Sequence, residues 1–340
     1  MDLQPGLEAL GCTVVTVALA PGDHGDVLDI EALGPTRRSW KTLRALRRRA
    51  RDHDVVIAHG STTLFACALA LFGTGRPFVY RQISDPIFWA ATWARRLRVA
   101  VFIRRAHQVV CLAEGVADVF ARHYRLDRSS LSVIPNAVPG ERFEPPTERE
   151  RADARAELGI PLSAEVAVYV GALVEEKGVD LAIRALASRS SAHLVLAGDG
   201  PERETLEALA CQLLGDRAEF LGPVTDPRLL YWAADVLLMP TRGGDSMPAV
   251  LIESGLCGLL SVTCPIGAIT DVVLDEETGF VVPVDDLEAL SHATGRVLDD
   301  AGLRSRLGAE AERHCRAHFT ISATAPAWVE VMAPLARRTG

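Results

Sequence analysis

The sequence predicts an α/β protein with two doubly wound domains, and three observations lead to this fold class. Short apolar runs alternate with longer segments of helical periodicity from one end of the 340 residues to the other. Several runs are continuously apolar and β-branched, as expected for parallel strands that helices cover on both faces of a sheet. The length suits two domains of roughly 150 residues each. Together these features favour doubly wound α/β architecture.

The first half supplies five predicted strands and one clear helix. The strands are expected at 13–19, 54–58, 77–81, 108–112 and 131–135, and the helix at 40–51. The chain opens with what resembles the end of a helix, residues 6–11, and not with the strand and Gly-rich turn that usually begin such a domain. Because the first strand is commonly central in the sheet, we expect either an N-terminal domain that lacks its first strand or a reading frame that starts upstream of Met1.

The second half repeats the alternation. Strands are expected at 165–170, 193–197, 218–221, 236–239, 260–263 and 280–282, and helices at 181–187, 201–214, 287–298 and 321–338. Three prolines and a glycine within residues 138–146 predict a break between the halves. We therefore place an N-terminal domain at 1–140, a linker at 141–149, a second domain at 150–315 and a C-terminal helix at 316–340 that packs back on the first domain.

Composition is that of an ordinary globular protein, with 49% hydrophobic and 24% charged residues. No stretch approaches the ~18 uncharged apolar residues of a membrane span, and the N-terminus lacks the pattern of a signal peptide. The seven cysteines are odd in number, scattered and free of any C-x-x-C pair. We therefore predict a cytoplasmic protein with reduced core thiols rather than a disulfide framework or a zinc site.

The charge is uneven along the chain. Residues 1–150 carry 20 Lys and Arg against 16 Asp and Glu, whereas the whole chain has a net charge of −8. The basic residues cluster at 37–38, 44–51, 95–98 and 104–105. This pattern suits an anionic acceptor or peripheral contact with the inner face of a membrane, and it equally suits a solvated Arg-rich helix face. Nucleic acid is not expected as a partner, because no recognition motif and no aromatic-interleaved basic patch is present.

The most informative stretch is 243–253, which combines two carboxylates with a predicted helix start. Asp245 lies in a glycine-containing turn, and Glu253 follows eight residues later. Pro248 suits the first turn of a helix, because its missing N–H costs nothing there. The free N–H groups after it would attract a phosphate, and Glu253 can reach back past the helix start. This combination suits a nucleotide-diphosphate sugar.

Three other segments follow predicted strands, at the edge where open α/β sheets bind ligands. Lys177 in loop 171–178 carries a mobile charge suited to a diphosphate, although a loop lysine is ordinarily just solvated. Gly198 and Gly200 belong to a βα turn, and we expect their main role to be the formation of that turn. The alternative is contact with the base or ribose of a nucleotide. In loop 265–271 a glycine permits close approach of the backbone to a ligand. This loop by itself does not indicate a function.

Four segments of the second half resemble the donor-binding domain of family-4 retaining glycosyltransferases of the GT-B fold. They are VGALVEEKGVDLAIRAL, LAGDGPERETLEALA, AADVLLMPTRGGDSMPAVLIESGLCG and EETGFVVPVDDLEAL. In the first half, VVCLAEGVADVFARHYRLDRSSLSVIPNAVPGERFEP resembles the last units and the linker of that family's N-terminal domain. The resemblance covers residues 105–335 well and 1–105 loosely, and it implies two Rossmann-like domains facing a cleft.

The resemblance implies sugar transfer from a UDP-, GDP-, ADP- or TDP-sugar to a hydroxyl of a small-molecule or lipid acceptor. The anomeric configuration would be retained, without a metal or a cofactor. Asp245 would hold sugar hydroxyls, Glu253 the ribose diol, and Lys177 the charge on the leaving diphosphate, so that Lys177 and Asp245 are the expected catalytic residues. The rest of the implied donor site comprises Gly171, Gly198, Gly200, Met247, Pro248, Ala249 and Val250, the last four through their backbone at the distal phosphate.

The chain departs from the family pattern at several points. Asp245 replaces a glutamate, and Ala172 stands where an arginine is common. No histidine lies near residues 80–86, so Arg81, Asp85 or His59 is expected on the acceptor side, with a structural role as the alternative for His59. These departures leave two other functions open, a non-catalytic sugar-nucleotide-binding relative and a GT-B sugar-nucleotide epimerase. The Ala- and Arg-rich composition suggests a bacterial source, and the expected role is envelope or natural-product biosynthesis.

Overall fold

The computed structural model describes residues 3–21, 30–83 and 92–336. The chain divides into two compact units, one formed by Met1–Pro135 with Thr324–Gly340 and the other by Asn136–Ala323. We refer to them as the first and second units. No helix among the described residues is long and apolar enough to cross a membrane.

The described part of the first unit contains a parallel sheet of four strands in sequential order. The strands are β1 (Val56–His59), β2 (Phe78–Arg81), β3 (Gln108–Cys111) and β4 (Leu131–Val133). The helices are α1 (Gln4–Ala9), α2 (Trp40–Arg49), α3 (Gly60–Ala70), α4 (Trp93–Ile103) and α5 (Glu114–Tyr124). Alternate strand residues face two clusters, with Tyr80 and Val109 in one and Val79 and Val110 in the other. The sheet is therefore covered on both faces, as its continuous apolar runs predicted.

The predicted strand at 13–19 is wrong. Among the residues that the structure describes, only Ala18 of this run pairs, in an isolated parallel bridge with Ala32. Its N–H donates to the Glu31 carbonyl at 2.9 Å, and its carbonyl accepts from Leu33 N–H at 2.9 Å. Residues 13–19 are exposed or half-buried throughout. The apolar, β-branched run has the composition of a strand, but a strand also needs a neighbouring ladder, which composition does not reveal.

The second unit contains a six-stranded parallel sheet in the order β10-β9-β8-β5-β6-β7. Its strands are β5 (Glu165–Val170), β6 (Ala192–Ala197), β7 (Ala218–Gly222), β8 (Val236–Met239), β9 (Ser261–Thr263) and β10 (Gly279–Val281). Its helices are α6 (Glu148–Glu157), α7 (Val179–Ala185), α8 (Arg203–Leu213), α9 (Arg228–Ala233), α10 (Ala249–Leu256), α11 (Ile269–Val272), α12 (Leu287–Asp299) and α13 (Ala301–His318). All six predicted strands are present, and β5 and β8 have the predicted bounds.

A buried carboxylate ties α6 to the start of β8. Asp235, with 8% of its side chain exposed, pairs with Arg151 at 2.7 Å, Arg155 at 3.0 Å and Arg304 at 3.5 Å. The Asp235 Oδ2 atom also accepts from Val166 N–H at 2.8 Å. Such a buried cluster is stable only because its charges and hydrogen bonds are mutually satisfied.

The C-terminal helix α14 (Ile321–Ala336) crosses from the second unit to the first. Trp328 on this helix is 1% exposed and packs in the same cluster as Val79, Val110 and Ile134 of the first sheet. The Arg81 guanidinium lies 5.4 Å from the centre of the Trp328 ring system. The first unit is therefore completed by residues from the far end of the chain.

Candidate active site

The second sheet has a topological switch point at its centre. Strand β5 is the first strand of the unit, and it lies between β6 on one side and β8 on the other. The chain therefore leaves β5 and β8 in opposite directions along the sheet, which opens a crevice at their carboxyl ends. The loops that follow these two strands carry Lys177 and Asp245.

The side chains of Lys177 and Asp245 meet in an ion pair between Nζ and Oδ1. The pair is largely buried, with 22% of the Lys177 side chain and 10% of the Asp245 side chain exposed. The hydroxyl of Thr241 donates to the other oxygen, Oδ2 of Asp245, at 2.7 Å. Both carboxylate oxygens therefore have a protein partner in this state. The structure thus brings together the two residues predicted to be catalytic.

Close backbone contact between the two loops fixes this geometry. Gly178 has a φ of +64°, and a Cβ at this position would lie 2.1 Å from the Pro240 carbonyl oxygen. Arg242 joins the loops from the other side, since its N–H donates to the Glu176 carbonyl at 2.7 Å. The Arg242 guanidinium donates to Asp180 at 2.7 and 3.0 Å. Only glycine fits at residue 178, so Lys177 is held within reach of Asp245.

The predicted donor-site glycines have a packing role. A Cβ at Gly198 would lie 1.8 Å from the Gly171 carbonyl oxygen, and one at Gly200 would lie 2.3 Å from the Leu173 carbonyl oxygen. The N–H of Leu173 donates to the Asp199 carbonyl at 2.9 Å. These glycines allow the loops after β5 and β6 to pack backbone against backbone, which is the turn role expected for Gly198 and Gly200.

Helix α10 begins one residue later than the sequence suggested. Pro248 is the N-cap residue, with φ −65° and ψ 131°, and Ala249 is the first helical residue. The Leu251 N–H donates to the Pro248 carbonyl at 3.3 Å, whereas the N–H groups of Ala249 and Val250 lie in the first turn, where no intrahelical acceptor is available. Because proline has no N–H, Ala249 and Val250 are the donors that this helix start offers to an anion.

Met247, the residue before Pro248, is held in place by Asn136, the first residue of the second unit. Met247 is 3% exposed. Its carbonyl accepts from the side-chain amide of Asn136 at 2.5 Å, and its sulfur lies 3.2 Å from the Asn136 backbone nitrogen. The sequence did not indicate Asn136, because it lies 111 residues from Met247. This contact orients the turn that leads into α10.

Glu253 lies on α10 and accepts a hydrogen bond from the Tyr231 hydroxyl at 2.9 Å on Oε2. Burial raises the pKa of Glu253, while the Tyr231 hydrogen bond and the positive charge of Arg142 oppose this shift. Burial also raises the pKa of Tyr231 well above its ordinary value, and the Glu253 charge adds to the effect. Tyr231 thus remains a hydrogen-bond donor that orients the Glu253 carboxylate. No sequence signal singled out Tyr231, because its link to Glu253 depends on the packing of α9 against α10.

Ser246 is a further residue that sequence reasoning missed. It is 6% exposed, and its hydroxyl oxygen is buried without a hydrogen-bond partner among the described residues. Its carbonyl accepts from the Ala268 N–H at 2.6 Å. A Cβ at Gly267, whose φ is +59°, would lie 2.5 Å from the Asp245 carbonyl oxygen. The loop after β9 therefore closes tightly over the turn that holds Asp245.

The residues expected on the acceptor side belong to the first unit. His59 ends β1, Arg81 ends β2, and the two are paired in register. His59 is exposed to solvent on one side. The protein atoms around the rest of the ring partly desolvate it and lower its pKa to about 4, and the positive charge of Arg81 makes a smaller contribution. Arg81 is 1% exposed, and burial lowers its pKa to about 10. Asp85 lies outside the described residues.

Two family models match the chain in consecutive stretches. The model described as Glycosyltransferase Family 4 matches residues 1–142. The model described as Glycosyl transferases group 1 matches residues 150–314. Together they cover the chain apart from a short link and the C-terminal residues. The second match contains Lys177, Asp245 and Glu253.

One similar curated protein is the D-inositol 3-phosphate glycosyltransferase of Streptomyces avermitilis. It is 30% identical over 265 residues, which are 72% of this chain and 56% of that protein. The chain spans about half the length of the curated relatives it matches.

Two solved structures show the same fold. Sucrose-phosphate synthase from Thermosynechococcus elongatus has a TM-score of 0.81 at 23% identity, covering 98% of this chain and 91% of that one. HepE from Anabaena, in a complex with UDP-glucose, has a TM-score of 0.81 at 19% identity, covering 90% of this chain and 85% of that one. The predicted fold class is therefore confirmed as the GT-B fold of two Rossmann-like domains. With the two family models matched in this order, the chain belongs to the family-4 glycosyltransferases of the GT-B fold.

Proposed function

We propose that the protein is a retaining glycosyltransferase that moves a sugar from a nucleotide-diphosphate donor to a hydroxyl acceptor. The observation that carries the proposal is the Lys177–Asp245 ion pair at the switch point between β5 and β8. The matches to glycosyltransferase family models support it. The donor would bind to the second unit, with its ribose diol at Glu253 and its distal phosphate at the start of α10.

Charge stabilisation is the main contribution that these residues can make. In the reaction, the bond between the anomeric carbon and the phosphate oxygen breaks, and a bond from that carbon to the acceptor oxygen forms on the same face. The acceptor proton passes to the departing phosphate oxygen. Lys177 and the N–H groups of Ala249 and Val250 would stabilise the negative charge that develops on the diphosphate. Because these protein groups, and not a metal ion, would stabilise the leaving diphosphate, we expect sugar transfer to continue when EDTA removes divalent metal ions.

UDP-glucose is the first donor to test, because a solved structure with the same fold contains it. GDP-, ADP- and TDP-sugars complete the panel. The acceptor would be a small molecule or a lipid, and the name of the Streptomyces relative makes inositol phosphates a first choice. We place the enzyme in the cytoplasm, with peripheral contact at the inner membrane face through the basic helices of the first unit. The odd number and scattered positions of the seven cysteines, without any C-x-x-C pair, support a reducing compartment.

A thermal-shift panel of nucleoside diphosphates and their sugars tests donor binding. We expect the bound nucleotide to raise the melting temperature, and we expect Lys177→Ala and Glu253→Ala to abolish both this shift and sugar transfer. Lys41→Ala removes the other lysine of the chain, at an exposed position in the first unit, and should leave the shift unchanged. Nucleotide binding that survives in both site variants would refute the site assignment.

Two outcomes would favour the other functions. Donor binding without transfer to any acceptor would indicate a non-catalytic relative. This is the main alternative, because Ala172 stands at a position where the family commonly has an arginine. Conversion of the donor sugar to an epimer without any acceptor would indicate an epimerase.

A further inference from the structure

Arg242 lies in the loop after β8, three residues before Asp245, and it holds the turn that carries Lys177. Its backbone N–H donates to the Glu176 carbonyl at 2.7 Å, and its Nη1 atom donates to the Glu175 carbonyl at 3.1 Å. These two residues directly precede Lys177 in a short 3₁₀ turn. Arg242 therefore holds the main chain on the N-terminal side of the lysine.

The Arg242 guanidinium also holds the chain on the C-terminal side of Lys177. Its Nη1 and Nη2 atoms donate to the two oxygens of Asp180, in the first turn of α7, at 2.7 and 3.0 Å. Its Nε atom donates to Asp285 Oδ1 at 2.6 Å, in the segment between β10 and α12. The Arg242 side chain is 24% exposed. These contacts are therefore largely shielded from water, and they join the loops after β5, β8 and β10.

This set of acceptors suits arginine and not lysine. The guanidinium makes four hydrogen bonds, two to Asp180, one to Asp285 and one to the Glu175 carbonyl. Its donors lie in one plane and point in fixed directions, which matches a carboxylate on one edge and further acceptors on the others. A lysine ammonium has three donors at a single point on a flexible stem. A lysine at position 242 would therefore leave part of this connection unmade.

The position of Lys177 matters because it is the one basic residue of loop 171–178. Ala172 stands in the same loop where the family commonly has an arginine. A charge stabilises a transition state only when it is already placed where negative charge develops, and a displacement of about 1 Å can cost on the order of 100-fold in rate. Because the lysine stem is flexible, the main chain beneath it has to supply this placement.

We propose that Arg242 is a positioning residue for sugar transfer. Through Asp180 and the two carbonyls that precede the lysine, Arg242 sets the point at which the Lys177 ammonium meets the departing diphosphate. It acts through Lys177 and not by contact with the donor. The inference rests on the proposed function for the reaction, whereas the placement of Lys177 can be measured without any sugar transfer.

The second unit contains a matched control for Arg242. Arg189 is 21% exposed, and it donates to Glu165 at 2.9 and 3.0 Å and to Asp299 at 2.6 and 3.3 Å. It therefore shares the burial of Arg242 and its contact with two carboxylates. Glu165, however, is the first residue of β5, at the opposite end of that strand from the loop of Lys177. A purely structural effect should be the same for both arginines, whereas a positioning effect should be confined to Arg242.

Kinetics with UDP-glucose and an inositol phosphate, together with UDP titration, test the role in the reaction. We expect kcat to fall on the order of 100-fold in Arg242→Lys and Arg242→Ala. The Kd for UDP should rise by less than about tenfold, because a displaced ammonium still attracts the diphosphate before reaction. Arg189→Lys should lose as much melting temperature as Arg242→Lys and keep the kcat of the wild type. An equal loss of kcat in Arg189→Lys would overturn the proposal, because general destabilisation would then explain both results.

NMR of the lysine ammonium groups tests the placement itself. The chain has two lysines, Lys177 and the exposed Lys41, so a sample with ¹⁵N-labelled lysine gives a simple spectrum. The ion pair with Asp245 should slow the exchange of the Lys177 ammonium protons with water enough to give a signal, which Lys177→Arg removes. We expect UDP to shift this signal.

The same signal should broaden or disappear in Arg242→Lys and in Asp180→Asn, and it should persist in Arg189→Lys. Asp180→Asn is the milder test, because it keeps the arginine and removes only the charge of its main acceptor. A Lys177 signal that is unchanged in both variants would refute the positioning role. A signal that depends on Arg242 in a protein that transfers no sugar would refute the proposed function and leave the placement of Lys177 by Arg242 intact.

Discussion

Asp245 uses both of its carboxylate oxygens within the protein, one for the ammonium group of Lys177 and one for the hydroxyl of Thr241. The resemblance to glutamate-containing relatives assigned the sugar hydroxyls to Asp245. In the structure, the shorter side chain instead holds the lysine that is expected to meet the diphosphate. The two roles predict different effects on nucleotide binding.

Asp245→Asn separates these two roles. If Asp245 orients Lys177, the loss of the charge-assisted hydrogen bond should weaken UDP and UDP-glucose to the same extent, by about tenfold. If Asp245 holds sugar hydroxyls, only UDP-glucose should bind more weakly. Isothermal titration calorimetry with both ligands measures the difference, and Asp245→Glu shows whether the longer acid of relatives restores binding.

Gly178→Ala should destabilise the second unit more than a matched glycine substitution. Gly178 and Gly159 share a φ of +64°, but a Cβ at Gly159 would meet nothing within 4 Å, whereas one at Gly178 would lie 2.1 Å from the Pro240 oxygen. Gly159→Ala should therefore cost only the left-handed backbone strain, about 1 kcal/mol. Gly178→Ala should cost about 2 kcal/mol more through the steric overlap. Chemical denaturation gives both values, and equal losses would contradict the close contact.

Donor binding should weaken as the pH falls through the raised pKa of Glu253. Burial is the main cause of that shift, and a protonated carboxyl is a poorer acceptor for a ribose diol. Glu253→Gln should bind UDP more weakly at neutral pH but with little pH dependence in this range. Calorimetric titration of both proteins between neutral pH and about pH 5 measures the effect; parallel pH profiles would show that another group is responsible.

The same shift affects stability with the opposite sign. Because the folded pKa of Glu253 is raised, the folded state binds more protons than the unfolded state between the two pKa values, so this group's contribution to stability falls as the pH rises. Glu253→Gln keeps an acceptor for the Tyr231 hydroxyl without the buried charge. We therefore expect this variant to gain stability relative to the wild type as the pH rises to neutral, which urea denaturation at two pH values can show.

Asp235→Ala should be among the most destabilising single changes in the second unit. It would leave the largely buried Arg151, Arg155 and Arg304 without their shared carboxylate, at a cost of about 3–5 kcal/mol. Arg149 lies on α6, the helix that also carries Arg151 and Arg155. Its side chain is 91% exposed and pairs with Asp153 at 3.7 Å. Arg149→Ala should change the free energy of unfolding by less than about 1 kcal/mol. A small loss for Asp235→Ala would mean that water satisfies the arginines.

The sequence predicted the elements of the second unit well because its strands are continuous apolar runs bounded by turn residues. Strands β5 and β8 are clear examples, and they place Lys177 and Asp245 at one edge of a sheet without reference to distant contacts. The run at 13–19 has the same composition, but within the described part of the chain its one ladder partner is Ala32. The contacts of Glu253 with Tyr231 and of Met247 with Asn136 depend on tertiary packing across 22 and 111 residues, and no local pattern encodes them.

The return of α14 to the first unit sets a rule for building chimeras of this protein. A graft that exchanges residues 1–135 alone would leave Trp328 against a foreign sheet, since its present neighbours Val79, Val110 and Ile134 would all be replaced. Residues 324–340 must therefore travel with the N-terminal segment. The contiguous segment 136–323, which holds Lys177, Asp245 and Glu253, could then serve as a fixed cassette onto which new N-terminal halves are recombined.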